Sequence, residues 1–141
     1  MKKEQLLIKK RLQISLRRLV RHQSTPATIL NYLGVDKTTF HIRIQKMRQP
    51  DMSLDNFGQL WCVDHIVPLR LFDLTKKDDL ELAWNINNLM PMYLTHNFEK
   101  EHSLEISEQL LSYLPQNEWI TKLNEVVRSN KVDFSIYKDL I

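Results

Sequence analysis

Residues 61–97 read WCVDHIVPLRLFDLTKKDDLELAWNINNLMPMYLTHN, and this stretch decides the fold. An apolar run, Leu60–Asp64, has the length and composition of a short strand, with Pro68 closing it. Thr75, with Asp78 three residues on, has the spacing of a capping box and predicts a helix over 76–84. Asn88–Tyr93 reads as a second strand, which Pro91 confines to an edge. Thr95 is placed to cap a helix from His96 to about Tyr113. Strand, loop, strand and helix in this order bring Asp64, His65, Asn88 and Asn97 towards one point.

That set carries a chemistry. A carboxylate and a carboxamide oxygen are hard ligands of the kind Mg²⁺, Mn²⁺ or another divalent cation takes. A histidine beside them, not used as a ligand, can take a proton near neutral pH. A second asparagine can orient that histidine without touching the cation. Together these are the parts for metal-assisted phosphodiester hydrolysis. Taken singly, each has a plainer reading: Asp64 caps a turn, Asn88 is a turn residue, and Asn97 starts a helix. His96 and His102 are reserve ligands by proximity, while His22 and His41 have no comparable neighbourhood.

Outward from this core the chain is helical. Residues 3–22 place Ile8, Leu12, Leu16, Leu19 and Val20 on one helical face, with Lys3, Lys10, Arg17 and Arg21 on the other. Such a basic stripe can follow a phosphate backbone. It can also lie on an acidic membrane, but the apolar face lacks the large aromatics of membrane-surface helices, so DNA is the expected partner and a membrane is not. Pro26 opens a helix over 26–33, Gly34 supplies a turn, and Asp36 caps a helix over 37–47. These two helices read as a hairpin packing the arm onto the body, in preference to a helix-turn-helix that reads a groove. Residues 49–58 are a loop. Beyond Pro115, Asn117 caps a last helix with Trp119, Leu123, Val126 and Val127 on one face, and residues 131–141 add a short terminal turn.

The whole 141-residue chain bounds these readings. Hydrophobic residues make up 43% and charged residues 26%, as in globular proteins. Two glycines argue against turn-rich all-β folds and glycine-rich phosphate loops, and one cysteine excludes a disulfide framework or a multi-cysteine zinc site. No apolar run spans a bilayer and no secretory leader is evident, so a cytoplasmic protein, bacterial or in a phage-infected host, is expected. Residues 1–50 carry twelve Lys/Arg against two acids, a net +10, while residues 51–141 carry eight against fifteen, a net −7. A basic arm on an acidic body suggests an anionic polymer as partner.

The segment Trp61-Cys62-Val63-Asp64-His65-Ile66-Val67-Pro68-Leu69 resembles the W-x-I-D-H-I-I-P-L run of HNH endonucleases, in their phage-type members. Phe72-Asp73-Leu74, Ala83-Trp84 and Asn88-Leu89-Met90-Pro91-Met92 resemble that family's F-D-L, A-F and N-L-Q-P-L. Asn97-Phe98-Glu99-Lys100 is similar to its closing N-L-x-K, and Met52–Gly58 to its G-M-T-W-E-N-Y-G run. Leu33-Gly34 and His41 also fit the upstream pattern. The resemblance covers about residues 30–100. It implies a ββα-metal nuclease that cuts DNA with one divalent cation, leaving a 5′ phosphate and a 3′ hydroxyl. It further implies Asp64 as metal ligand, His65 as general base, Asn88 as support of loop and histidine, and Asn97 as the final ligand. Glu101 departs from the glycine that often follows the closing lysine, and the cysteine pairs of a structural zinc are absent, so no such zinc is expected. The expected fold is therefore mainly α, with a small two-stranded antiparallel β element inside a ββα-metal core flanked by helices. Residues 1–50 form the basic helical N-terminal region, 51–103 the nuclease core and 104–141 a helical C-terminal extension. The competing reading is a non-catalytic or accessory DNA-binding subunit of a phage DNA-processing or packaging complex. A homodimer or a phage protein is a further possible partner.

Overall fold

A computed structural model describes residues 2–95 and 113–129, the side chains of 127–129 excepted. The described residues are mainly helical, with one two-stranded antiparallel sheet among them. In order come α1 (Lys3–Val20), α2 (Ala27–Leu33), α3 (Lys37–Met47), β1 (Trp61–His65), α4 (Lys77–Trp84), β2 (Leu89–Tyr93) and α5 (Glu118–Ser129). Single 3₁₀ turns, Leu69–Leu71 and Ile86–Asn88, flank α4 in the connection between the strands. The strands pair from Trp61 with Tyr93 to His65 with Leu89.

One apolar cluster runs from Leu12 of α1 to Leu123 of α5. Leu12, Leu16, Leu19 and Val20 are buried on the face of α1 that their spacing predicts, with Ile8 packed beside them. Trp61 and Val63 turn inward from β1, alternating with half-buried Cys62 and Asp64, as a strand's period of two requires. Both strands are edges, which is where Pro91 fits within β2. A hydrogen bond from the Leu74 amide to Gln5 Oε1, 3.1 Å, ties the interstrand connection back to α1.

The helix ends explain the turns. Gly34 ends α2 at φ 77°, the left-handed conformation that glycine adopts without strain. Asp36 accepts from the Thr39 amide at 2.7 Å and starts α3 as its position predicts, and this bond holds its carboxyl below the usual range. Asn117 likewise accepts from the Trp119 amide at 3.0 Å at the start of α5.

Four expectations change. Thr75 does not cap α4: its hydroxyl donates to Asp73 Oδ1 at 2.6 Å, and Lys76 occupies the cap position with no side-chain bond. The short Asp-x-Thr spacing lets Asp73 close on Thr75 locally, and that turn competes with the cap. The first strand is Trp61–His65, one residue later than its composition suggests, so His65 belongs to the ladder. α1 stops at Val20, which leaves Arg21 beyond the helix. The chain is helical at residues 94 and 95, so Thr95 is within the turn rather than before it. Most of the helix expected from His96, and the terminal turn at 131–141, lie outside the described residues.

Candidate active site at the end of the hairpin

β1 delivers Asp64 and His65 as its last two residues. A strand sends neighbours to opposite faces, yet at this strand end the two side chains meet: His65 Nδ1 lies 3.1 Å from Asp64 Oδ1. The same oxygen accepts from the His65 backbone amide at 2.7 Å. A proton on Nδ1 pointing at that carboxylate fixes the tautomer in which Nε2 carries the lone pair. The imidazole is 2% exposed and rests edge-on against Trp84, with ring centroids 4.5 Å apart and an interplanar angle of 84°. The Asp64 side chain remains 15% exposed.

Asn88 is fully buried where the connection meets β2. Its Oδ1 accepts from the Val67 amide at 2.8 Å. Its Nδ2 donates to the carbonyls of Val67, 3.1 Å, and Ala83, 3.0 Å. Its own carbonyl accepts from the Ile66 amide at 2.7 Å. One side chain thus clamps the turn after His65 to the last turn of α4. None of these bonds is to the imidazole, so Asn88 acts on His65 through the backbone that follows it. α4 brings a second contact, since Trp84 is the residue on which the imidazole lies. In the sequence Trp84 has no evident site role, although its match, with Ala83, to the A-F pair of the resembled family is the signal that ties it to the motif.

The structure therefore brings Asp64 and His65 together and puts Asn88 behind them. Asn97, His96 and His102 lie outside the described residues. Among the described residues no three His, Cys, Asp or Glu side chains converge as a metal group. Of the described residues here, Asp64 is the one that offers a partly exposed hard oxygen donor, the type that suits Mg²⁺ or Mn²⁺.

The basic arm divides. Lys3, Lys10 and Arg17 are exposed on the outward face of α1. Arg21 is exposed as well, but it turns aside: its guanidinium carbon lies 4.7 Å from the Phe57 ring centre, and Phe57 packs edge-on against Trp61 at 4.9 Å. Gly58, at φ 85°, leaves room for that guanidinium, because a Cβ there would come within 3.0 Å of it. No described helix is long and apolar enough to cross a membrane.

No protein family matches the chain, and no solved structure does. Two proteins of Acanthamoeba polyphaga mimivirus are similar to parts of it. Uncharacterized protein L426 is 29% identical over 85 residues, 60% of this chain and 37% of that protein. Uncharacterized protein L246 is 24% identical over 106 residues, 75% of this chain and 42% of that protein. The chain thus spans about two fifths of the length of each of these relatives.

Proposed function

We propose that this chain is a divalent-cation-dependent endonuclease of the HNH, or ββα-metal, class, hydrolysing DNA phosphodiester bonds. The observation that carries the reading is the corner where β1 ends in the paired Asp64 and His65 and Asn88 clamps the following turn. His65 is the general base. Held through Nδ1 by Asp64, it takes the proton at Nε2 as a water attacks phosphorus, and that water has to reach a nitrogen that the described residues bury. Trp84 and the Asn88 clamp keep the imidazole from swinging, so the base meets each substrate in one orientation. Asp64 and Asn97 would hold the cation. When bound, it supplies positive charge at the phosphate and the leaving oxygen. Lys3, Lys10 and Arg17 grip the phosphate backbone, each neutralised phosphate adding roughly −0.9 to the slope of log affinity against log salt.

Supercoiled plasmid incubated with Mg²⁺ or Mn²⁺, with and without chelator, tests this through nicked and linear products. Cleavage should need the cation, and His65→Ala should slow it by about 10²–10⁴-fold with duplex binding retained. A chain that never cuts, or a His65→Ala variant within a few-fold of the wild type, sinks the reading.

A further inference from the structure

We propose that the outward face of α3 reads base edges in the major groove of duplex DNA, so that one helix gives the chain its sequence preference. The proposal rests on the nuclease reading for its choice of ligand, but its test does not depend on cleavage.

α3 is anchored by one face. Phe40 and Ile44 are buried and Met47 packs beside them, while Asp36 fixes the helix start. It packs against β2, one strand of the hairpin that carries the candidate site. α2, the other half of the helical pair, is committed to packing: it buries Ile29 and Leu33 and contacts α1 and α4. Only α3 is left to present a surface.

That surface has three strips. Down its middle run Thr38, Ile42 and Gln45, spaced i, i+4 and i+7 and all exposed, with Ile42 47% exposed. Thr39, Arg43 and Lys46 lie on one flank, and Lys37 and His41 on the other, where His41 stacks on His22; Arg48, past the helix end, lies over Trp61. From Lys37 to Pro50 the chain has no Asp or Glu. A solvated helix usually mixes signs on its wet face. This one offers a hydroxyl, a branched aliphatic and a carboxamide, with Arg43 and Lys46 on one side and Lys37 on the other. A carboxamide pairs with adenine, a methyl-bearing side chain packs on the thymine methyl, and a hydroxyl bonds either donor or acceptor edges. A helix about 10–12 Å across fits a major groove about 12 Å wide, which places its flanks along the two phosphate backbones.

Arg43 is the independent sign that an anion belongs there. Its Nε is buried with no hydrogen-bond partner among the described residues. Burial without a compensating carboxylate pushes its pKa below the ordinary arginine value. DNA cannot reach the buried Nε, but the guanidinium's other nitrogens are not among the buried unpartnered atoms, and a phosphate oxygen at the groove edge would accept from them.

The full-length wild-type chain, kept from cutting by EDTA, is used to select from a pool of randomised duplexes. The same selection is run with Thr38→Ala, Ile42→Ala and Gln45→Ala, each checked by thermal melting. The wild type should enrich a motif. Gln45→Ala should lose discrimination at one base position by about tenfold, as loss of a base contact does, while binding random duplex within about threefold of wild type. Arg43→Gln should weaken binding to all duplexes alike and flatten the salt dependence, as loss of a phosphate contact does. No enriched motif, no binding to duplex, or a motif unchanged in all three alanine variants overturns the proposal. A chain that selects a motif but never cuts loses the nuclease reading and keeps this one. A chain that cuts without sequence preference does the reverse.

Discussion

The two ends of the hairpin are held by different physics. At the His65–Leu89 end a single buried carboxamide makes three side-chain hydrogen bonds, to Val67 and Ala83. At the Trp61–Tyr93 end the contacts are spread out. Arg21 lies over Phe57 and Arg48 over Trp61, 5.7 Å from its ring centre. The indole donates to the Ser53 carbonyl at 2.7 Å, and Tyr93 donates to Asp51 Oδ1 at 2.7 Å. Directional bonds in a dry site fix positions tightly and fail abruptly. Stacks and exposed bonds tolerate displacement and fail by degrees. The tightly fixed end is the one that carries Asp64 and His65.

The contrast is sharpest in Asn88→Ala. It strands an amide and two carbonyls in the interior, and should cost about 3 kcal/mol or more in urea unfolding. A loss below about 1 kcal/mol breaks the comparison, because the site end would then be as forgiving as the other. Arg21→Gln tests the forgiving end. It should cost about 0.5–1 kcal/mol and leave the salt slope of DNA binding unchanged, because its cation serves the Phe57 ring. Lys10→Gln with Arg17→Gln should do the opposite, flattening the slope with no change in melting; if Arg21→Gln also flattens it, Arg21 belongs to the DNA face after all. Tyr93→Phe should lower the melting temperature only slightly, since it removes one hydrogen bond at an exposed position. The Asp51 bond raises the Tyr93 pKa, so a spectroscopic titration should also find this phenol ionising later than a free tyrosine.

The smallest effect concerns His22 and His41, stacked with ring centroids 3.8 Å apart. Burial, then the charges of His22 and Lys37, depress the His41 pKa below 6.5. The unfolded chain therefore binds this proton more readily than the folded one. Its contribution to stability is complete above the unfolded value and is lost as pH falls through the folded one. Melting temperature should drop on acidification below about pH 6.5, and less steeply in His41→Gln. An identical profile in that variant would mean that another group titrates.

Much of the fold was legible because local chemistry decided it. Asp36 and Asn117 cap where their positions predict, and the apolar face of α1 is buried as its spacing requires. What was hidden depends on partners far away in sequence. Arg21 shares a helical face with Lys10 and Arg17 on paper, but Gly58 and Phe57 draw it away. His22 has φ 58°, a conformation expected of glycine, because its amide and that of Gln23 close onto the carbonyls of Leu19 and Arg18 at the end of α1. At the candidate site, the adjacency of Asp64 and His65 was evident from their order. The partners of Asn88 were not, because the carbonyl of Ala83 becomes reachable only once α4 ends and the chain doubles back.

The end of α4 has a consequence for how the chain is made. Asn88 takes the Ala83 carbonyl, and the indole of Trp119 donates to the Leu82 carbonyl at 3.2 Å. The first partner follows within five residues; the second is 37 residues away. As the polypeptide leaves the ribosome, the asparagine clamp can close early, while the Leu82 carbonyl must stay in water until residue 119 has emerged. The corner that holds the candidate histidine can therefore form once residue 88 is free of the ribosome, while the α5 side of α4 stays wet until the last helix arrives.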